Sequence, residues 1–232
     1  MIDQAAGQVA LEYVYAWLIS EYGTPVNEGR PDPLDELISA ILSQHTSDSN
    51  SRTAFESIRS RFHSWSEVAE APAEEVADAI RCGGLADTKA PRIKDVLVEV
   101  LGKSGDGDLG WLAHADIGLA RDYLASLPGV GPKTAACVLL FSLGRRAFPV
   151  DTHVQRMAQR LGLVPKSSSP ARTQQHLESV VPEEQMYAFH INLIRHGRRI
   201  CRARRPLCEM CGLRSVCRFY SMETASTDGA VI

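Results

Sequence analysis

The sequence contains no run of about 18 apolar residues, so no membrane-spanning helix is expected. It opens Met1-Ile2-Asp3-Gln4, without a basic segment leading into an apolar one. That opening argues against a secretory leader and for a reducing, cytoplasmic setting. No excess of one charge is present either: 25 Lys and Arg face 28 Asp and Glu, for a net charge of −3. A whole-chain basic field is thereby excluded, and any attraction to nucleic acid has to come from a local patch. Segments alternating with period two, long internal repeats and low-complexity blocks are also missing. What remains is 232 residues of which 44% are hydrophobic, enough to build one large domain or two small ones and to exclude wholesale disorder.

The apolar residues recur at helical spacing, so the fold class is expected to be all-α. A first amphipathic helix is read over 4–21, with Val9, Tyr13, Trp17 and Ile19 as its apolar positions. Pro33 suits the first turn of a second helix carrying Leu37, Ile38, Ile41 and Leu42. Ser47 or Asp48 caps a third, with Phe55, Ile58 and Phe62 on its apolar side. The pattern continues over 73–81, 88–101, 117–127, 132–143, 152–162, 171–181 and 183–196, with loops at 104–110 and 165–170 and a polar tail from about 221.

Charge is organised locally even though it cancels globally. Residues 195–218 hold eight arginines and one acid, Glu209, a local charge of +7 that leaves the rest of the chain at −10. Four of the six cysteines, Cys201, Cys208, Cys211 and Cys217, lie in the same segment with the spacing C-x6-C-x2-C-x5-C. A cluster this tight in a reducing setting points to metal ligation, by one tetrahedral zinc or by an iron–sulfur cluster. Cys82 and Cys137 stand alone in apolar, helix-like surroundings and read as inert core thiols.

A second constellation is Leu127-Pro128-Gly129-Val130-Gly131-Pro132-Lys133-Thr134-Ala135, which joins two helical patterns. Gly129 and Gly131 permit a tight hairpin, and Pro132 fits the first turn of the following helix. Amides at Val130, Gly131 and the new helix start would suit a phosphate, although an ordinary helical hairpin turn would use the same residues. Lys133 lies in that first turn, where the helix dipole disfavours a cation. A lysine there reads as a phosphate ligand or a nucleophile. Eighteen residues on, in Pro149-Val150-Asp151-Thr152-His153, Asp151 is placed to cap the next helix.

These motifs, in this order, resemble the endonuclease III family of DNA-repair glycosylases in the helix-hairpin-helix superfamily. The matching stretches are the hairpin, Val150-Asp151-Thr152-His153, Gly84-Leu85-x-x-x-Lys89-Ala90 and the four cysteines, and the resemblance covers about residues 5–220. It implies two helical domains flanking a DNA-binding cleft. One would be a six-helix barrel over 31–146, with the helix-hairpin-helix at about 117–143. The other would be a discontinuous iron–sulfur domain made of 1–30 and 147–220, leaving 221–232 as a flexible tail. It implies a [4Fe–4S] cluster held by Cys201, Cys208, Cys211 and Cys217. Lys133 matches the family's nucleophile and Asp151 its essential aspartate. DNA contacts are implied for Gln44, His45, Leu85, Gly129, Val130, Gly131, Thr134, His153, Arg202 and Arg205. Two departures stand out: His45 occupies a position where many members have glutamine, and Ala136 one where many have asparagine.

The activity implied is a bifunctional DNA glycosylase and abasic-site lyase of base excision repair, acting on oxidised pyrimidines and abasic sites in duplex DNA. The protein is expected to be a cytoplasmic monomer, associated with the nucleoid through DNA, with no membrane partner. The rival readings are a monofunctional mismatch-specific glycosylase, against which Lys133 argues, and a non-catalytic DNA-binding module with structural zinc.

Overall fold

The computed structural model describes residues 4–222, and every regular element among them is helical. The chain divides into two compact units, Gly29–Arg146 and the pair of segments Met1–Glu28 with Ala147–Ile232. The expected tail beyond 222 lies outside the described residues. None of the described helices is long and apolar enough to cross a membrane.

The continuous unit begins at Gly29 because Arg30 belongs to it: the Arg30 guanidinium donates to the Leu143 carbonyl at 3.1 Å and packs on Gly144. Helix α2 (Pro33–Leu42) starts where Asp32 Oδ1 accepts from the amides of Leu34 and Asp35 and Pro33 fills the first turn. Its buried stripe of Leu34, Leu37, Ile38, Ile41 and Leu42 forms one wall of the core. Fully burying each such side chain contributes about 1.5–3 kcal/mol. Helix α3 (Asp48–Arg61) is capped by Ser47, whose hydroxyl accepts from Asn50 N. Helix α4 (Trp65–Glu70) has no counterpart in the periodicity reading. Ser64 Oγ accepts from Glu67 N while Glu67 accepts from His63 N, a reciprocal cap that suffices for six residues. Helices α5 (Ala73–Ile80) and α6 (Ala86–Ser104) follow, joined by a short turn at Arg81–Gly83. Cys82 sits in that turn and is exposed, contrary to the core reading: Ile80 and Gly83 take the inward positions and the thiol turns out.

Helix α7 (Ile117–Ser126) and helix α8 (Pro132–Cys137) complete the unit. The α-helix expected over 132–143 ends at Cys137 and widens into a π-helical turn, Val138–Ser142, closed by Leu143 N donating to Val138 O. Cys137 is buried, as its apolar neighbours suggested.

In the other unit, helix α1 (Gln4–Tyr22) buries Leu11, Val14 and Leu18, while Tyr13 is 44% exposed. The inward seam is thus 11, 14 and 18 rather than one through Tyr13. Helices α9 (Thr152–Leu161), α10 (Pro170–Val180) and α11 (Glu183–Arg199) surround Phe148 and Phe189, whose rings meet edge to face at 5.9 Å. The cysteine-bearing loop runs on from α11.

Candidate active site

In the continuous unit, α7 and α8 form the expected hairpin. Leu127 leaves α7 in extended conformation, Val130 N closes the turn on Leu127 O at 3.1 Å, and Gly129 takes φ +72°. Gly131 is the extended N-cap of α8, and Ala135 N donates to its carbonyl at 3.0 Å. One expectation is corrected here. The Val130 amide is spent on the turn and its side chain is buried, so it leaves the anion-facing set. What is left is Gly131 N–H and the first-turn amides of Lys133 and Thr134, which have no acceptor within the helix.

Gln44, just past α2, is also spent internally. Its amide nitrogen reaches Gly129 O at 3.4 Å and Thr134 Oγ1 at 3.5 Å, and its oxygen accepts from Arg92 at 3.0 Å. Gln44 and Arg92 therefore brace the hairpin. His45 and Leu85 are exposed and share an unusual backbone: φ is +54° at His45 and +53° at Leu85. Left-handed backbone at a non-glycine residue costs on the order of 1–3 kcal/mol and collects at functional sites. Leu85 is 55% exposed, projecting between Gly84 and α6.

Lys133 is half-buried in the first turn of α8. Sequence reasoning missed its electrostatic neighbour, Glu36 of α2. Burial pushes the Glu36 carboxyl up to about 7, and the Lys133 charge offsets part of that rise. A carboxyl raised in the folded state subtracts stability as pH climbs from its ordinary value of 4.5 to about 7, and the penalty stays constant above. Glu36→Gln is therefore expected to stabilise the protein at pH 8 by at most about 3 kcal/mol and by little at pH 5. Urea unfolding at the two pH values checks this; an equal effect at both would show that Glu36 ionises normally.

In the discontinuous unit, Asp151 is the N-cap of α9. Its Oδ1 accepts from Val154 N at 2.7 Å and its carbonyl from Gln155 N at 2.9 Å. His153 is turned into its own unit: Nδ1 lies 3.1 Å from the Arg156 guanidinium, and the ring packs on Gly197. Burial lowers its pKa. Arg156 also donates to the carbonyls of Gly197 and Cys201, and Arg160 to those of Arg202 and Ala203. These two arginines of α9, outside the basic run read from the sequence, fix the start of the cysteine loop.

Among the arginines of that run, Arg195 is tied to Tyr22 O and Asn192, and Arg214 pairs with Glu209 at 3.2 Å. Arg202, Arg204 and Arg205 are exposed, and Arg205 has φ +50°. Arg198, Arg199 and Arg218 are exposed as well.

Cys201, Cys208, Cys211 and Cys217 line one shallow pocket, with Pro206 and Phe219 in its wall. Donors converge on the sulfurs: Arg160 reaches Cys201 Sγ at 3.3 Å, the Leu213 amide faces Cys211, and the Phe219 and Tyr220 amides face Cys217. Burial first, and then the neighbouring cysteines, push the Cys211 thiol up to about 11 and raise Cys217. Four half-buried cysteines, three of them facing N–H donors, suit a group that brings positive charge and takes thiolates. Among the described residues no three His, Cys, Asp or Glu side chains converge closely enough to hold a single ion.

Comparison with known proteins agrees with this geometry. Residues 38–183 match the family described as HhH-GPD superfamily base excision DNA repair protein. The chain is 36% identical over 199 residues to endonuclease III of Thermotoga maritima, covering 84% of this chain and 87% of that protein. It is 40% identical over 168 residues to a candidate DNA glycosylase of Arabidopsis thaliana, covering 72% of this chain and 57% of the relative's length. An endonuclease III trapped as a covalent intermediate with DNA superposes with a TM-score of 0.81 at 27% identity, over 94% of this chain and 98% of that one. The hairpin ahead of Lys133, the capping Asp151 and this all-helical architecture are those of a protein that belongs to the HhH-GPD superfamily of base excision DNA repair proteins.

Proposed function

We propose that the chain is a bifunctional DNA glycosylase and abasic-site lyase that removes oxidised pyrimidines from duplex DNA. The observation that carries this reading is Lys133: a half-buried amine in the first turn of α8, directly after the hairpin, where a structural role would favour an acid. The target nucleotide leaves the stack. Lys133, once it has given up a proton, attacks C1′ with its nitrogen lone pair, and the bond from C1′ to the base breaks with its electron pair going to the base, which takes up the proton the new C–N bond sheds. The sugar ring then opens to a Schiff base between Lys133 and C1′. Loss of a 2′ proton eliminates the 3′ oxygen and cuts the strand. Asp151 stabilises the positive charge that develops on the sugar. Leu85 wedges the duplex and His45 fills the vacated space. Gly131 N–H and the first-turn amides of α8 hold a phosphate, as do Arg202, Arg204 and Arg205.

A lesion panel (thymine glycol, oxidised cytosines, uracil, mismatches and an abasic site), with base release and nicking scored separately, tests the reading. Base release without nicking would favour a monofunctional enzyme; neither activity on any substrate would leave a binding module.

The two hairpin glycines separate folding from binding. A Cβ at Gly129 would lie 2.2 Å from Arg92 Cδ at a positive φ, so Gly129→Ala is expected to destabilise by about 1–3 kcal/mol. A Cβ at Gly131 meets nothing within 4 Å. Gly131→Ala should leave Tm nearly unchanged and weaken DNA binding on the order of tenfold, by obstructing the phosphate's approach to the backbone. Undiminished affinity would remove the Gly131 backbone from the interface.

The four cysteines are assigned to a [4Fe–4S] cluster. The cluster, when bound, supplies charge that organises the arginine-bearing loop rather than chemistry at the sugar. Anaerobically purified protein is expected to hold iron and labile sulfide at about four each per chain. Stoichiometric zinc without iron would overturn the assignment.

A further inference from the structure

Lys89 of α6 is 2% exposed, yet its ammonium meets backbone oxygens rather than a carboxylate. A lysine that gives up water needs other compensation. Here its ammonium donates to two backbone carbonyls: Leu42 O at 2.7 Å and Gly83 O at 3.0 Å. Leu42 is the last residue of α2, so its carbonyl is one of those a helix end leaves without a partner, and the helix dipole favours a cation there. The segment that starts at Leu42 leads through Ser43 and Gln44 to His45. Gly83 opens the other loop, whose next residues are Gly84 and Leu85. It is itself pinned: a Cβ at Gly83 would approach Ala54 Cβ to 2.9 Å, so its backbone lies tight against α3. Burial lowers the pKa of Lys89 without any opposing carboxylate. One nitrogen therefore holds the roots of both loops, and each loop carries, two or three residues on, an exposed side chain on left-handed backbone.

We propose that Lys89 is a positioning residue that couples the His45 and Leu85 loops, so that the two side chains enter the duplex as a unit. The inference rests on the reading of His45 and Leu85 as inserted residues. Its physical content is that neither strained loop keeps its insertion geometry once the shared anchor is lost. Lys89 has no contact with substrate in this arrangement and acts only through the two backbones.

The experiment is a double-mutant cycle read by 2-aminopurine fluorescence beside a lesion, which reports base extrusion, and by lesion Kd. In the protein with Lys89 intact, His45→Ala and Leu85→Ala are expected to be strongly non-additive, the double variant being little worse than the poorer single one. Coupling of roughly tenfold is the expected size. Lys89→Met keeps length and apolar bulk while removing both hydrogen bonds. It should lower extrusion on the order of tenfold or more while binding of undamaged duplex stays within twofold, because that readout uses the hairpin and arginines instead. In this background the His45 and Leu85 effects should become additive. Additive losses with Lys89 intact overturn the coupling even if Lys89→Met does not fold. Normal extrusion by Lys89→Met, where Leu85→Ala impairs it, overturns the role of Lys89 and leaves the wedge assignment standing. If neither His45→Ala nor Leu85→Ala affects extrusion, the insertion reading fails, and this inference with it.

Discussion

Lys133→Ala is expected to abolish strand nicking and borohydride trapping, a loss of at least about 10³-fold, while binding to an abasic-site duplex survives. The backbone has little reason to change. Lys133 lies at the second position of α8, after Pro132, and alanine is the best helix former. The N-cap hydrogen bond from Ala135 N to Gly131 O does not involve the side chain. Removing the cation takes away the charge that partly offsets burial at Glu36, so the Glu36 carboxyl should rise further and stay protonated at neutral pH. The variant should therefore fold, bind and fail to react. Lys133→Gln is the companion change, keeping length and polarity without a nucleophilic amine. Trapping at the wild-type level in either variant would move the nucleophile elsewhere in the chain.

How much of this was written locally in the chain varies from element to element. Helices α3 and α9 were readable from a capping side chain ahead of an apolar stripe, Ser47 and Asp151, and α2 from Pro33 and its apolar spacing; the structure adds Asp32 and Ser169 as the caps of α2 and α10. The same logic would have found α4, since Ser64 and Glu67 stand three apart; six residues are simply too few to show a period. The π turn after Cys137 has no such signal. Its first three residues, Val138–Leu140, are buried, and burial is a long-range property. Site residues divide on the same line. Gly129, Pro132 and Lys133 announce themselves by backbone chemistry and by a cation at the wrong end of a helix. Glu36 does not, because on α2 alone it is one more acid in a first turn; only the packing of α8 makes it a half-buried neighbour of Lys133. The Val130 amide closes the turn on Leu127, and Gln44 is held by Arg92, a distant partner that no spacing rule reveals. The left-handed backbone of Leu85 was hidden for a related reason: Gly83 and Gly84 mark a flexible stretch, yet the unusual φ extends to the leucine as well.

Asp151→Asn should separate the two tasks of this residue more sharply than any other change. The structural task is the cap: Oδ1 accepts from Val154 N at 2.7 Å, satisfying one of the first amides of α9. Asparagine carries a carbonyl oxygen at the same reach and ranks equal to aspartate as an N-cap. Its loss of charge at the positive end of the helix costs about 0.3–1 kcal/mol, so the variant should fold with a Tm lowered by only a few degrees. The chemical task proposed for it needs the negative charge. Base loss leaves positive charge on the sugar, and a carboxylate in a site from which water is excluded stabilises that charge far more than a neutral amide can. Base release is therefore expected to fall by about 10²- to 10⁴-fold. Nicking of a preformed abasic site should fall less, since that substrate has already lost its base. Asp151→Ala supplies the contrast, losing cap and charge together, with about 1 kcal/mol or more of additional destabilisation. If Asp151→Asn released base at the wild-type rate, Asp151 would be left with the cap alone, and the charge facing the sugar would have to come from another carboxylate.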